Sequence, residues 1–485
     1  MGAPGDRAVR GVAAVTGGSG VRSRTVERIH ALNLCHYCGI CLAACPKDNI
    51  RRLAGPRQGF YFHVLDEQAC GPCDLCLRIC PGEDLDLARL NMSVFGAPPT
   101  DERLGVYRRC YLASAAYDDI RHAGASGGVV TALLAFCLEE RLVDGALVVA
   151  DGASSIREPN VYVARSVSEL RHAASSRYYP VPIMEGLSQL VRGRGRYAVV
   201  GLPCHVHGLR KYEELRKTLS DRVTLRVGLF CGYSTDFASL DFLASRAGLG
   251  SFEEVERVNF RAGEWPGHIA LRSRDGTEIA MSRGERDLVS MLHMPTRCAT
   301  CPDQTGELAD LSVGDAWLPE LLNGADHLWK SVVITRTARG HNAFETAVLR
   351  GAIVARNVSA DEVARSQENL LVFKKRGMQA RIRVLGFFGY GVPNFGARWK
   401  LERSRPVDYL GAVAFVIVNG LIVRPAVRRL LERLPSRAIA PFAWVYRNLL
   451  QAYDLRRKLV RKAVALGRRL GGGQMPAPPP PPLQP

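Results

Sequence analysis

The sequence predicts an α/β protein whose main body lies between a small cysteine-rich module and a basic helical extension. Short apolar β-type segments alternate with helical patterns from about residue 105 to 380. Eight of the 14 cysteines lie between Cys35 and Cys80, and the excess of basic residues lies near the C-terminus. A chain of 485 residues has room for about two to four domains, each with its own core.

Changes in composition divide the chain into six predicted segments. The first is rich in Gly, Ala and Arg and has no apolar stretch of signal-peptide length, so we expect reduced thiols and a cytoplasmic protein. A Pro-containing breaker at 96–100 follows the cysteine-rich module. The predicted segments are a flexible leader (1–28), the cysteine-rich domain (29–95), two parts of the α/β body (105–190 and 191–380), a basic amphipathic helical extension (381–470) and a disordered Pro/Gly tail (471–485).

Within the body, buried strands are predicted at 145–150, 197–201 and 224–230. Each segment is short, rich in β-branched residues and bounded by turn residues. Helical patterns at Val129–Glu140 and His205–Lys217 lie between them. This alternation favours the α/β class over an all-β fold.

The eight clustered cysteines form two copies of the spacing C-x2-C-x2-C-x3-C-P, which is the bacterial ferredoxin pattern. Three thiolates of each copy can hold one [4Fe–4S] cluster, while the fourth reaches the other cluster. The alternative is a structural zinc module, which does not require the third Cys or the following Pro. We therefore predict a ferredoxin-like domain in which one cluster is bound by Cys35, Cys38, Cys41 and Cys80, and its neighbour by Cys70, Cys73, Cys76 and Cys45.

Four further cysteines suggest a third cluster inside the α/β body. Cys204 and Cys231 each follow a predicted strand, and Cys298 and Cys301 form a C-x2-C pair. Strand ends of an α/β sheet converge on one edge, so the four thiolates can meet there. The alternative is two buried core cysteines and an unrelated C-x2-C pair. Cys110 and Cys137 fit no pattern and are expected in the core.

A Gly/Ser turn at 122–129 opens the first predicted helix of the body and can expose backbone N–H groups to a phosphate. It lacks the order G-x-G-x-x-G, and a plain turn that caps a helix explains it equally well. Asp315 and Trp317 lie at another predicted strand end and could form only a packed corner.

Four separated motifs together resemble the coenzyme F420 hydrogenase/dehydrogenase beta subunit family. They are Ser126-Gly127-Gly128, Gly201-Leu202-Pro203-Cys204, Gly228-Leu229-Phe230-Cys231, and Cys298-x-x-Cys301 followed by the segment 309–315. The resemblance covers about 30–375, including an N-terminal double-cluster module that some members carry.

The resemblance implies an iron–sulfur flavoprotein oxidoreductase. It implies that the third cluster is present, that electrons move between [4Fe–4S] clusters and FAD, and that hydride is exchanged with coenzyme F420 or a related organic substrate. It also implies that Ser126, Gly127 and Gly128 hold FAD. Arg177 and Tyr178 match a Ser-Lys-Tyr stretch in which Arg replaces Lys, so their flavin role rests on an altered motif. The alternative is an electron-relay subunit of a larger hydrogenase/dehydrogenase complex without substrate chemistry of its own. No residue is identified as a catalytic acid or base, and His205 and His207 are expected on a helix surface.

The positive charge of the chain is local. Residues 374–470 contain 22 basic and 4 acidic residues, so their net charge of +18 accounts for the net charge of the whole chain. This distribution disfavours nucleic acid and suggests a docking surface for an anionic membrane or for an acidic partner such as ferredoxin. A solvated charged helix explains it equally well. The apolar stretch 409–423 is shorter than the about 20 residues of a spanning helix, so we expect an in-plane or buried helix.

Overall fold

The computed structural model of the protein describes residues 24–55, 59–152, 155–264, 267–322, 329–399 and 402–451. The predicted tail, positions 452–470 of the predicted extension and most of the predicted leader lie outside these residues.

The cysteine-rich module consists of short helices around one two-stranded antiparallel sheet. Its elements are α1 (Glu27–Ala31), α2 (Ile40–Ala44), β1 (Ile50–Ala54), β2 (Phe60–Val64), α3 (Glu67–Cys70), α4 (Leu75–Ile79) and α5 (Leu87–Phe95). Ile50 pairs with Val64 across the sheet. Phe60, Phe62 and Val64 are buried because alternate side chains of a strand point to the same face.

The body is built on one eight-stranded mixed sheet, which confirms the predicted α/β class. Its strands, in sheet order, are β13 (Ile353–Val358), β3 (Arg109–Ala115), β12 (Ser331–Thr335), β11 (Leu311–Asp315), β7 (Val223–Leu229), β6 (Tyr197–Gly201), β4 (Gly145–Ala150) and β5 (Asn160–Ala164). The central strands β4, β6, β7 and β11 are parallel, so their carboxyl ends lie at one edge. The three strands predicted from the sequence correspond to β4, β6 and β7.

Helices cover both faces of this sheet, as a largely parallel sheet requires. Ala146 and Val148 pack in one apolar cluster with α7, whereas Leu147 between them packs in another with α10. The two helices predicted for the body are confirmed as α7 and α10. The helices around the sheet are α6 (Asp118–Ala123), α7 (Val129–Glu139), α8 (Val167–His172), α9 (Leu187–Arg192), α10 (Pro203–Leu215), α11 (Lys217–Arg222), α16 (Ala338–Leu349), α17 (Ala360–Ser366) and α18 (Glu368–Lys374), with a 3-10 turn at Ile183–Gly186.

A second, three-stranded antiparallel sheet lies between β7 and β11 in the chain, and the sequence did not predict it. Its side chains alternate between buried and exposed positions, with Val258, Phe260 and Leu271 in the core. The elements of this insertion are α12 (Ala238–Arg246), a 3-10 turn (Phe252–Glu254), β8 (Val255–Ala262), β9 (His268–Ser273), β10 (Glu278–Met281), α13 (Arg283–Leu292) and α14 (Thr296–Ala299). The short α15 (Pro319–Leu322) follows β11.

The C-terminal part is helical, with α19 (Met378–Phe387), α20 (Pro406–Ile422), α21 (Pro425–Arg433) and α22 (Ser436–Leu450). One side of α20 is buried against α19 and α22, and Phe415 lies in their shared apolar cluster. In the described part of the chain, no single helix is long and apolar enough to cross a membrane. The pair α20 and α21 meets that test of length and composition only when joined across a bend of 95°.

Candidate functional site

The first group of cysteines consists of Cys35, Cys38, Cys41 and Cys80. The Cys41 thiol lies beside the other three thiols, so the structure brings Cys80 of the second motif to the first motif, as predicted. Gly39 makes the turn into α2 with a φ of 81°, and a side chain there would lie 2.9 Å from the Pro182 carbonyl oxygen. Only glycine fits both conditions, so this turn is fixed by the packing of the module on the body.

The second group consists of Cys45, Cys70, Cys73 and Cys76, and it is less buried than the first. Asn49 connects two of its members, because its backbone N–H lies 3.3 Å from Cys45 Sγ and its side-chain amide 3.4 Å from Cys70 Sγ. The Cys73 N–H donates to the Cys70 carbonyl oxygen, and the Cys76 thiol lies near both Cys70 and Cys80. The second group therefore adjoins the first.

The third group consists of Cys204, Cys231, Cys298 and Cys301. Cys204 lies in the first turn of α10, directly after β6, and Cys231 follows β7. Cys298 and Cys301 are carried by α14 and the residues after it. The Cys204 thiol has the other three thiols as neighbours, together with Cys38 of the first group. The strand-end argument from the sequence thus predicted a grouping that the structure contains.

Burial opposes ionisation of thiols in the first and third groups. Burial and the nearby Cys80 raise the pKa of the Cys38 thiol to about 12, and burial raises the pKa of the Cys231 thiol to about 12. Thiols become metal ligands as thiolates, so these groups require a strong positive charge to ionise. Among the described residues, no three His, Cys, Asp or Glu side chains are arranged closely enough for a single metal ion. A [4Fe–4S] cluster differs because its four thiolates bind four irons.

His36 lies inside the first cysteine motif, and within the part of the chain that the structure describes neither of its buried ring nitrogens has a hydrogen-bond partner. Burial, and then the charges of Arg297 and His207, hold its pKa well below the ordinary value, so the ring is neutral. A neutral imidazole keeps one N–H donor. That donor fits a site in which the sulfur atoms of a cluster accept hydrogen bonds.

His205 and His207 are buried rather than on a helix surface, which corrects the expectation from the sequence. The Nδ1 atom of His205 accepts a hydrogen bond from the Leu202 N–H, and His207 Nε2 lies 2.9 Å from Asp303 Oδ2. Both carboxylate oxygens of Asp303 also accept backbone N–H groups. This pair fixes the loop after Cys301 against α10, which carries Cys204 in its first turn. Its partners are 96 residues apart, so sequence spacing gave no signal for it.

The turn formed by Ser126, Gly127 and Gly128 packs against Ser331, the first residue of β12. Ser126 Oγ is 2.7 Å from Ser331 Oγ, and the Gly127 N–H donates to the same hydroxyl. Gly128 has a φ of 72° and precedes α7 directly. The N–H of Gly127 is therefore already used within the protein. Ser331 pairs in register with Asp315 at the end of β11.

Arg261 joins this region to the other residues suggested by the resemblance. Its Nε donates to the Tyr178 hydroxyl at 3.1 Å, and its guanidinium pairs with Asp315 and lies over the Trp317 ring. Arg177 pairs instead with Asp151 at 2.7 Å. The buried Nη1 atom of Arg261 has no hydrogen-bond partner among the described residues. No motif marks Arg261 on β8, so it was not predicted from the sequence.

Tyr178, Asp315 and the Ser126 turn therefore lie along one edge of the large sheet. The third cysteine group shares this edge, since the Phe230 N–H, next to Cys231, donates to the Val313 carbonyl oxygen of β11. Cys110 and Cys137 lie elsewhere, in the core clusters of β3 and α7, as expected.

Comparisons with known proteins identify the family of this chain. Two family models match, "Coenzyme F420 hydrogenase/dehydrogenase, beta subunit N-term" at residues 110–188 and the corresponding C terminus at 194–361. Together they cover about half of the chain.

Among curated relatives, an uncharacterized protein of Methanocaldococcus jannaschii is 28% identical over 72% of this chain and 96% of its own length. A coenzyme F420 hydrogenase subunit beta of Methanothermobacter thermautotrophicus is 27% identical over 57% of this chain and 98% of its own. A coenzyme F420-dependent sulfite reductase of M. jannaschii is 25% identical over 70% of this chain and 50% of its own. The F420-reducing [NiFe] hydrogenase complex of Methanosarcina barkeri contains a chain with a TM-score of 0.48 and 22% identity, over 61% of this chain and 98% of that chain.

Proposed function

Because this chain belongs to the coenzyme F420 hydrogenase/dehydrogenase beta subunit family, we propose that it is an iron–sulfur flavoprotein oxidoreductase that exchanges hydride with coenzyme F420 or a related organic substrate. One observation carries the proposal. The Cys204 thiol, at the carboxyl edge of the large sheet, has as electrostatic neighbours the thiols of Cys231, Cys298 and Cys301 and that of Cys38 in the first group. The predicted division at 29–95, 105–190, 191–380 and 381–470 belongs to the same proposal.

The donor sets fit three [4Fe–4S] clusters. Each group supplies four thiols, and His36 adds an unpartnered ring at the first group. When bound, the clusters supply one-electron carriers and FAD supplies a two-electron hydride carrier. The protein's own contribution is to hold the three groups in sequence and to keep water from the inner two. Cys38, Cys41 and Cys80 are buried, as is Cys301.

The same edge of the sheet fits FAD. We propose that Ser126, Gly127, Gly128, Arg177 and Tyr178 belong to its site, with Arg261 as an added member. The unpartnered Nη1 of Arg261 suits an anionic oxygen, because a buried donor without an acceptor is costly. The Gly127 N–H already donates to the Ser331 hydroxyl. In this proposal Gly127 therefore shapes the turn and does not donate a hydrogen bond to FAD.

The experiment that tests the proposal is oxidation of reduced coenzyme F420 by the anaerobically purified chain, with a viologen as one-electron acceptor. We expect turnover by the wild type, loss of turnover in Cys298→Ala and retention in Cys137→Ala, a matched change of a buried core cysteine. If the wild type contains iron and flavin but does not oxidise reduced coenzyme F420, the proposal that this chain is an enzyme is refuted.

The second candidate is an electron-relay subunit of a larger complex, and the relatives named as hydrogenase subunits favour it. Its partners would be a ferredoxin or a hydrogenase/dehydrogenase subunit. Turnover that appears only after a partner subunit is added supports this candidate over the first.

The C-terminal helices support a further partner, an anionic membrane surface that would place a cytoplasmic enzyme at the membrane periphery. The outer side of α20 exposes Leu410, Val413, Ile417 and Leu421, which share one helix face. Phe387 at the end of α19 is 86% exposed. Exposed arginines at 424, 429, 433 and 437 follow this face. Apolar side chains bordered by cations are the composition of an interfacial helix near anionic lipid.

A further inference from the structure

Arg297 lies between the first and third cysteine groups and is only 1% exposed. Its Nε donates to the Gly82 carbonyl oxygen at 2.8 Å and its Nη2 to the Pro81 carbonyl oxygen at 2.9 Å. The Nη1 atom donates to the Thr300 carbonyl oxygen at 3.2 Å. One guanidinium therefore joins the loop after Cys80 to the loop between Cys298 and Cys301.

Lys374 approaches the third group from the end of α18 and is equally buried. Its Nζ donates to the Cys298 carbonyl oxygen at 3.4 Å, and the thiols of Cys301, Cys231 and Cys298 are its nearest potential anions. The neighbours of Arg297 are the thiols of Cys301, Cys204, Cys298 and Cys80. Within the described residues, neither cation has a carboxylate in hydrogen-bond or ion-pair contact.

Several other buried cations of this protein have carboxylates close by. Arg226 is in ion-pair contact with Glu213 and Asp310. Arg336 and Arg381 donate to carbonyl oxygens, and carboxylates lie near both, Glu307 at Arg336 and Asp408 at Arg381. Burying a cation without an anion costs several kcal/mol. The groups available to balance Arg297 and Lys374 are the cysteines themselves, which become anions when they bind iron.

We propose that Arg297 and Lys374 are positioning residues whose fixed positive charges raise the reduction potential of the cluster held by Cys204, Cys231, Cys298 and Cys301. This inference rests on the proposed function, because it requires that cluster. Reduction adds one electron, and a cation in a dry site stabilises the more negative state more strongly than the oxidised one. Arg297 also faces Cys80, so the cluster of the first group is expected to respond to it but less to Lys374.

The test is a dithionite titration of the anaerobic full-length protein, followed by electron paramagnetic resonance. Lys374→Met removes the charge and keeps the apolar stem, whereas Lys374→Arg keeps the charge. We expect a lower potential of the third cluster in the Met variant and near wild-type potential in the Arg variant. Arg297→Gln and Arg297→Lys form a second such pair, in which the Gln variant lowers the potentials of both facing clusters. Lys217→Met, on the exposed start of α11, controls for loss of a lysine.

The outcomes separate this inference from the function on which it rests. A wild type without a third-cluster signal refutes the proposed function. A wild type with that signal, and a Lys374→Met variant with full iron content and unchanged potential, overturns the inference alone. Equal shifts in the charge-removing and charge-keeping variants also overturn it, because they indicate a packing effect. If Arg297→Gln does not assemble its iron, the reduction potential of the third cluster in Lys374→Met alone tests the inference.

Discussion

Single side chains decide whether the edge of the large sheet holds a flavin. Arg261 offers a buried Nη1 atom beside Tyr178 and Trp317 that has no acceptor in the described part of the chain. We predict that Arg261→Gln weakens flavin binding roughly tenfold or more, because a charged hydrogen bond is worth about 1.5 to 3 kcal/mol. Flavin released per chain after gel filtration measures this. Arg272→Gln, at an exposed ion pair of β9, is the matched control and should retain flavin. Full flavin retention in Arg261→Gln would remove Arg261 from the site.

His30 gives the cysteine-rich module a pH dependence. Burial lowers its pKa from 6.5 to about 4, and its Nε2 accepts a hydrogen bond from the Phe62 N–H at 3.0 Å. Between about pH 6.5 and 4 the unfolded chain binds a proton that the folded ring does not, so stability falls as pH falls through this window.

We therefore expect faster loss of visible iron–sulfur absorbance at pH 5 than at pH 7 in the wild type. His30→Gln keeps an acceptor but does not titrate, so its loss rate should depend less on pH. The same pH dependence in both proteins would contradict the assignment to His30.

The eight clustered cysteines were predictable from their spacing, and the third group was predictable because two of its cysteines follow predicted strands and two form a C-x2-C pair. Their surroundings were not, because Arg297 contacts residues 215 and 216 positions away and His207 contacts one 96 positions away. Such long-range contacts depend on how whole elements pack, and no local pattern records them.

At the scale of elements, α20 presents two different faces. Its inner face packs closely on α22, since a Cβ at Gly411 would overlap the Leu449 carbonyl oxygen. We predict that Gly411→Val separates α22 from α20 and destabilises the helical extension by about 1 to 3 kcal/mol, because overpacking strains a close contact. Limited proteolysis measures this as faster cleavage near α22. Gly420→Val, with open space around it on the same helix, is the control. Equal cleavage of both variants would contradict the packing.

The outer face of α20 is predicted to bind anionic lipid. Ile417→Glu and Leu410→Glu place negative charge on exposed apolar positions, so we expect at least tenfold weaker binding to phosphatidylserine vesicles in a flotation assay. Iron and flavin content should not change. Val354→Glu, an exposed apolar position on β13, serves as the control. If the wild-type protein does not float with these vesicles, the predicted binding to an anionic membrane surface is refuted.

The strands β4, β6 and β7 were predictable because buried parallel strands are continuous apolar segments. The sheet formed by β8, β9 and β10 was missed because its strands carry Arg and Glu on an exposed face and contain only short apolar alternations. The apolar stretch 409–423 was expected to lie in a plane or be buried, and α20 is half covered by its neighbours.

For the molecule as a whole, net charge is unevenly distributed. Residues 374–470 account for the net +18 of the chain, whereas residues 1–373, which contain every cysteine, carry no net charge. We expect vesicle binding to weaken at high salt, because exposed charges are screened beyond about 8 Å at physiological ionic strength. Reduction potentials should change much less with salt, since Arg297 and Lys374 are buried.

The order of the three cysteine groups is the central feature of the whole molecule. Cys76 of the second group adjoins Cys80 of the first, and Cys38 of the first adjoins Cys204 of the third. The second group is the most exposed, and the third lies at the sheet edge beside the proposed flavin site. This continuous series is what an electron path between a surface and a flavin requires.

The most direct measurement is the iron, sulfide, zinc and flavin content of the anaerobically purified chain, with electron paramagnetic resonance of the reduced sample. The account predicts about twelve irons and one FAD per chain, with signals from three [4Fe–4S] clusters. About eight irons with FAD would contradict the third cluster at Cys204, Cys231, Cys298 and Cys301. Zinc without flavin would contradict the redox function altogether.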